Sequence, residues 1–411
     1  MRKIGRYTAA LLLVGVGVAV IAGKQTGTDY TALAARWWPV LLISLGIEYV
    51  LFQLIYGRTG KPTRLDIGGM LLACILSAVV FSTQNSVFSE KWFRLDGLFS
   101  LSSESGNRFD KPVMNVPLER NAEKVLIDNP SGSVTVKSGA VEQIQIDTTV
   151  WVDNVDAEDA AGIAGQSTVE SLVSNGSLKI EARGKEYGSG VFARRKPRMN
   201  LTVTVPSGIK ADIELSLVSG KAEASQLPIR GQFTASTING EIDVSDLEAN
   251  VKLNSTNGNI NAQNIKGTAV LKTVNGSVSL LHNQGDARLT STNGSISAVG
   301  ISGSLQAETI NGSLTVSDAL RDVNAHTTNG SINAKSSSIQ GNWDLKTMHG
   351  SIDVLLPAQA DLDVKGKGGA GQISSDFPLQ TDKRSLRGQI GSGTYRLDLD
   401  TNGRVSVRKA D

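Results

Sequence analysis

Cysteine is almost missing from this chain. Cys74 stands alone among 411 residues, which excludes an intrachain disulfide framework and a cysteine-built metal cage. Histidine is nearly as scarce, with His282, His326 and His349 scattered and no metal-ligand spacing among them, so neither a metal nor any other cofactor is expected. Aromatics make up 5 % of the residues, too few for a large aromatic enzyme core, and proline is limited to 10. A formal net charge of +2 gives nucleic-acid binding no overall electrostatic support. After residue 82 long apolar runs are lacking as well. What the chain has instead is 43 glycines and abundant serine and asparagine, the composition of many short strands and tight turns.

The apolar residues gather at the start, in runs at 8–23, 37–56 and 67–82. The middle run has about the 20 residues that a helix needs to cross a bilayer, and the three together predict an α-helical transmembrane bundle over 1–82. Arg2, Lys3 and Arg6 precede the first run, and Arg58, Lys61 and Arg64 fall between the second and third. Their placement predicts a cytoplasmic N-terminus and a multi-pass cell-membrane protein whose C-terminal domain is extracytoplasmic. The first run also fits a cleaved signal peptide, which leaves the side of the C-terminal region unchanged. Trp37 and Trp38 read as membrane-interface anchors, with the lipid bilayer as partner. Glu48 within a span reads as a residue turned toward protein or water, or as a partner contact. The segment Arg36-Trp37-Trp38-Pro39 followed by the aliphatic run to Leu45-Gly46-Ile47-Glu48 resembles the membrane region of the Lia-type envelope-stress proteins of Gram-positive bacteria. That resemblance implies an accessory role beside a membrane sensor protein.

Residues 83–118 read as a linker, and 119–411 carry the dominant signal. Asn-Gly pairs stand at Asn239, Asn257, Asn275, Asn293, Asn311 and Asn329, each 18 residues after the last, with Ser219-Gly220 and His349-Gly350 as outlying copies at 20. Aligned on the glycine, the residues two after it are aliphatic (Ile242, Ile260, Val278, Ile296), as are those four after it (Val244, Ala262, Leu280) and five before it (Leu253, Leu271, Leu289). Polar residues such as Asn261, Ser279, Lys252 and Lys272 alternate with them. A period of two with one apolar face predicts half-buried strands. Asn and Gly tolerate the left-handed backbone that tight corners need, and Gly267, Gly285 and Gly303 mark a second corner. One such unit cannot bury its apolar face alone, so the units must stack, over about 236–354. An antiparallel meander joined by Asn-Gly hairpins and a β-solenoid (β-helix) of 18-residue coils both fit. The constant register favours the solenoid, because it sets like residues above one another and lets the corner asparagines hydrogen-bond in a ladder. The fold class expected is therefore all-β, a β-solenoid preceded by the α-helical transmembrane bundle.

The flanks, with strand-like pieces at 124–127, 133–137, 177–181, 201–205 and 212–217, read as less regular continuations. The stretch 390–407, with Asn402-Gly403 in it, reads as a closing hairpin that hides an open edge. The run Leu201 to Gly208, then Val218-Ser219-Gly220 and the Asn-Gly-Ser repeats, resembles the bacterial putative-adhesin family of β-strand repeats over residues 120–410. The resemblance implies a β-helical fold and a surface location, and it brings no catalytic motif.

Chemistry-bearing constellations are few. The repeats lack the Gly-Gly-x-Gly-x-Asp calcium signature, and the outward positions offer Ser, Thr and Asn in place of a flanking acid pair for glycoside cleavage. One basic cluster, Arg183, Lys185, Arg194, Arg195, Lys196 and Arg198, opposed by Glu181 and Glu186, reads as either an anionic-partner patch or a solvated hairpin tip. The sequence thus predicts a non-enzymatic, membrane-anchored envelope protein. It acts either as an adhesin-like surface module meeting cell-wall polymer or as an accessory regulator of envelope stress acting with a membrane sensor protein.

Overall fold

Alternation governs the strands of this chain. Gln232–Asn239 and Asn250–Asn257 turn every second side chain inward, and Ile242–Leu247 does so until a three-residue step to Leu247; the inward set is Phe233, Ala235, Val251, Leu253, Ile242, Val244 and Leu247, with Thr237 and Ser255 next to the corner. In the computed structural model the described residues are 106–118, 122–188, 194–207, 209–227, 229, 231–369 and 372–410, together with 2–4, 10, 48 and 63–65. The chain divides into two units, Met1–Ser103 and Glu104–Asp411.

In the second unit two 15-stranded sheets are built from the halves of each repeat. The strands before each corner glycine form one sheet, here the leading sheet, and those after it form the trailing sheet. Successive copies pair in parallel: Leu253 lies beside Leu271, which lies beside Leu289, while Ile260 lies beside Val278 and Val278 beside Ile296. Such pairs set like side chains in columns, and the columns close one core. Leu253, Leu271, Leu289, Ile260 and Leu280 are all fully buried. Burying each such side chain stabilises the fold by about 1.5–3 kcal/mol, which one coil could not collect without a neighbour above and below.

The order of coils in space departs from their order in sequence at both ends. Lys124–Ser131 and Val134–Gly139 form the first coil, and its neighbours are Asp212–Ser219 and Ala222–Leu227, 88 residues further on. The intervening chain turns back beneath the first coil. Ser177–Arg183 and Arg198–Pro206 pair parallel to it, backed by antiparallel partners Thr168–Ser174 and Ile144–Val152. The helix Ala157–Gln166 also belongs to this cap; Asp156 caps it by accepting a hydrogen bond from the Asp159 amide, and Ala160 and Ala164 are its buried face. At the other end Tyr395–Thr401 and Val405–Lys409 insert between the coil at Gly350 and the strands Leu362–Lys367 and Ile373–Ser375. The expected closing hairpin is therefore corrected. The Asn402-Gly403 corner carries the chain across from the leading to the trailing sheet, making a further coil, because the apolar sides of both strands face the shared core.

The fold-class expectation is corrected too. The second unit is an all-β, two-sheet structure with one short helix, and among the described residues no helix is long and apolar enough to cross a membrane. The α-helical transmembrane bundle and the multi-pass cell-membrane location that followed from it are not supported. The apolar runs at 8–23, 37–56 and 67–82 lie almost wholly outside the described residues, as do Trp37 and Trp38. In the first unit Arg2–Ile4 pairs in parallel with Thr63–Leu65, Ala10 and Glu48 have helical backbone, and Glu48 is buried. A run of apolar residues fixes composition alone; spanning a bilayer requires that the run be one unbroken helix of about 20 residues.

Candidate interaction surface

The corner between the two sheets is built from three residues. Three positions before the glycine stands a buried Ser or Thr, and from Ser255 onward its hydroxyl donates to the corner-glycine carbonyl of the preceding coil. Thr273 donates to Gly258 at 2.9 Å, Ser291 to Gly276 at 2.8 Å and Thr309 to Gly294 at 2.9 Å; Thr401, two positions before Gly403 but paired with Thr347, makes the same contact on Gly350 at 2.8 Å. One position before the glycine, each asparagine amide donates to the carbonyl oxygen of the asparagine below. The ladder runs from Asn329 through Asn311, Asn293, Asn275 and Asn257 to Asn239, with every step 2.8–2.9 Å. It is directional: the Asn239 amide has no asparagine below it, and the Asn329 carbonyl has His349 above it in place of an asparagine.

The glycine itself is required for a reason other than the one expected. None of the corner glycines from Gly240 to Gly350 has left-handed backbone. A Cβ on Gly276 would collide with the Gly258 carbonyl, and the same holds of Gly258 on Gly240 and of Gly294 on Gly276. Neighbouring corners approach so closely that only hydrogen fits. Left-handed backbone occurs instead six residues after the corner, in a column formed by Gln226, Asp246, Asn264, His282, Gly300 and Asp318 with φ between 51 and 68°.

A second column lies on the outside of this corner, two positions before the glycine: Val218, Ile238, Thr256, Val274, Thr292, Ile310, Thr328 and Met348. These positions point away from the core, yet no charged residue occupies any of them. Val218, Ile238, Ile310 and Met348 are 46–58 % exposed. Beside them run the asparagine ladder and, after the glycine, Asn259, Ser277, Ser295, Ser313, Ser331 and Ser351. From Thr256 to Ser351 the whole strip holds no Asp, Glu, Lys or Arg. With strands about 4.8 Å apart, the methyl-bearing column from Val218 to Met348 is roughly 34 Å long. Each ladder amide still has a second N–H to offer outward. Sequence inspection passes over this column because its members are separated by 18 residues; the signal is an aliphatic residue in phase with the polar ones.

The basic cluster is less free than its sequence suggests. Arg183 pairs with Glu170 at 3.1 Å and Glu181 at 3.4 Å, and Lys196 lies 3.7 Å from Glu186. Arg198 reaches Asp153 at 3.4 Å and lies over the ring of Trp151, which Arg108 also approaches. Hydrogen bonds from Lys179 and then Arg183 hold the Glu181 carboxyl below its usual range. Among the described residues only Lys185, Arg194 and Arg195 of the cluster make no ion pair. Glu181, Arg183, Lys196, Pro130, Pro197 and Met199 are among the residues that line an open recess of about 310 Å³.

The histidines stay apart. His349 continues the corner column beside Asn329, His326 lies 3.8 Å from Asp344 on the outer leading face, and the His282 ring occupies the space above Gly300. Among the described residues no three His, Cys, Asp or Glu side chains group to hold a metal. Two buried polar residues escaped the sequence reading. Asn283, 1 % exposed, stands where neighbouring coils place Ile265 and Ile301 and donates to the Gly285 carbonyl. Asn129, also 1 % exposed, donates to the carbonyls of Gly132 and Met199 and ties the first coil to the cap. For Asn283 the signal was there: one amide in an otherwise aliphatic column.

The family model Toastrack DUF4097 matches residues 122–408. No curated protein matches the chain. Among solved structures, a putative adhesin from Parabacteroides distasonis is 12 % identical over 75 % of this chain and 98 % of its own, with a TM-score of 0.32. A putative lipid binding protein from the same organism is 11 % identical over 74 % of this chain and 98 % of its own (TM-score 0.30). A putative cell adhesion protein from Clostridium sporogenes is 11 % identical over 74 % of this chain and its whole length (TM-score 0.27). Likeness this distant carries nothing about what the present chain binds.

Proposed function

Given that the chain belongs to the Toastrack DUF4097 family, we propose that it is a surface interaction module, binding and not catalytic, and that the corner strip is its contact. The observation that carries this reading is the exposed methyl column beside the amide ladder, free of charge from Thr256 to Ser351. Outward strand positions elsewhere on the leading sheet hold Lys252, Lys272, Arg288, Glu308 and Lys346, as solvated faces do. Keeping charge off one column through eight coils, while leaving aliphatic groups in water, serves contact with an uncharged surface. The partner class this fits is a neutral cell-wall polymer. Its repeating hydroxyls meet a repeating row of amide donors and acceptors, and its C–H faces lie on Val, Ile and Thr methyls.

The test is co-sedimentation of the full chain with insoluble bacterial cell-wall glycan. The wild type is expected to pellet with the glycan. The triple substitution Ile238→Lys, Val274→Lys and Ile310→Lys is expected to stay in the supernatant, since three cations then line the strip without touching the core. Ser279→Lys with Ser297→Lys, on the outer face of the trailing sheet, is expected to pellet like the wild type. Failure of the wild type to pellet, or pelleting of the triple variant, refutes the reading.

A further inference from the structure

Among the described residues the two 15-stranded sheets have four ends, and three are guarded. Asn107–Asp110 has Arg108 and Asp110 in four residues; Ile373–Ser375 has three residues and is followed by Asp376 and Pro378; Gln380–Thr381 has two and is followed by Asp382, Lys383 and Arg384. Shortness, charge and proline at an edge are the usual means of preventing strand addition. The fourth end is different. Thr168–Ser174 is the outermost strand of the leading sheet, seven residues long, without Lys, Arg or Pro. Among its side chains only Val169 is partly buried; Leu172 is 64 % and Val173 42 % exposed. Its single charge, Glu170, is already matched by Arg183 at 3.1 Å.

The hairpin register shows which peptide groups face outward. Ser174 pairs with Ser177 across the two-residue loop Asn175-Gly176, whose φ values of 49° and 73° are those of a tight hairpin turn. In such a hairpin the pair flanking the loop is hydrogen-bonded, and the pairs then alternate. Ser174, Leu172 and Glu170 therefore spend their backbone groups on Ser177–Arg183, while those of Val173, Ser171 and Val169 point away from the sheet.

We propose that this edge is the pairing strand of a two-fold dimer, in which a second copy of the chain adds its own Thr168–Ser174 antiparallel, centred on Ser171. The sequence is complementary to itself about that residue. Val169 then faces the second copy's Val173, Thr168 faces its Ser174, and Leu172 lies against the stem of its Glu170. The outward backbone groups of Val169, Ser171 and Val173 meet the same three residues of the second copy, so each donor finds an acceptor. A closed two-fold contact of this kind satisfies the edge on both copies at once and leaves none to propagate. The leading sheets of the two copies become continuous, while the corner strip, at the far end of each strand-to-strand turn, stays outside the contact.

The experiment is analytical ultracentrifugation of the full chain across a concentration series, with cysteine cross-linking to fix the register. The wild type is expected to sediment as a dimer at high concentration and to dissociate on dilution. Val173→Pro, which removes an outward N–H that the hairpin does not use, and Leu172→Lys, which charges the edge, are each expected to leave a monomer with an unchanged circular dichroism spectrum. In a Cys74→Ser background, Ser171→Cys is expected to form a disulfide-linked dimer on mild oxidation, because the Cα–Cα distance of about 5.5 Å across a hydrogen-bonded antiparallel pair suits a disulfide. Thr168→Cys is expected to cross-link far less, since it faces the second copy's Ser174. A wild type that is monomeric throughout, a dimer that survives both edge substitutions, or equal cross-linking from positions 168 and 171 overturns the proposal. Loss of glycan binding with the dimer intact, or the reverse, separates this contact from the corner strip.

Discussion

The coils between Gln232 and Leu356 and the pieces that close the stack at either end use similar strands under different rules. In the middle the core and corner groups meet their own likeness one coil away, with Asn283 an exception: leucine on leucine, asparagine on asparagine, a glycine hydrogen against a glycine carbonyl. The sequence can then be simple, and it is, with the same residue types recurring every 18 positions. At the ends there is no likeness to meet. The cap before Asp212 substitutes antiparallel strands, a short capped helix, and Trp151 under two arginines, while the cap after Leu356 threads the final coil back between two earlier ones. Repetition supplies stability only where both neighbours exist, and each terminal solution must be particular.

The largest break in this comparison is expected from Gly276→Val. Its Cβ meets the Gly258 backbone, which cannot swing aside as a side chain would, so a cost of about 4 kcal/mol or more and loss of a single cooperative melt are expected by differential scanning calorimetry. Next comes Leu271→Ala in a fully buried column, expected to lower stability by about 2–5 kcal/mol in a urea titration, while Leu172→Ala on the edge strand shifts the same curve little at concentrations where the chain is monomeric. Asn275→Ala removes two rungs of the amide ladder and Asn239→Ala one. At about 0.5–1.5 kcal/mol per hydrogen bond the mid-ladder variant is expected to lose roughly twice as much, and equal losses would show that the ladder is not acting as a chain.

A smaller contrast concerns acid. In the C-terminal cap the Thr394 hydroxyl, then the Ser392 hydroxyl and the Thr394 amide, hold the Asp361 carboxyl far below the usual range. A carboxyl depressed in the fold stabilises it at pH above the unfolded value of about 3.9, and that contribution disappears as pH falls toward the folded value. Asp361→Asn is thus expected to melt lower than the wild type at pH 7, and the gap is expected to start closing only as pH falls below about 4. The smallest expected effect has the opposite sign. Gly162, in the cap helix, has open space where a Cβ would go, and Gly162→Ala is expected to raise stability by about 0.5–1 kcal/mol in a thermal melt.

Legibility followed the same division. The columns headed by Ile242 and Leu253 could be read because each position is repeated until chance is excluded. The ladder partners followed from register. What failed was non-local or unrepeated: nothing near Lys124 announces Asp212 as its neighbour, and Asn402-Gly403, seen alone, has the signature of a hairpin. The corner glycines were read as conformational when they are steric, because either need selects the same residue. Part of the candidate surface was visible as the asparagines, but the methyl column beside them was not. Ile238 or Val274 taken singly is an ordinary exposed aliphatic, and only the stacking joins five such residues and three threonines into a strip. The basic cluster erred the other way. Six cations between 183 and 198 stand out in sequence; the fold brings Glu170 to Arg183 and Asp153 to Arg198, and Lys196 pairs with Glu186, so half of them are neutralised.

The most direct test is a hydrogen-exchange footprint of the full chain with and without soluble neutral cell-wall glycan. Contact along the corner strip predicts slowed exchange in the peptides containing Thr256–Asn259, Val274–Ser277, Thr292–Ser295 and Ile310–Ser313, repeating every 18 residues and absent from the outer trailing face. Protection confined to the segment around Arg183 and Lys196, or none at any corner, contradicts it.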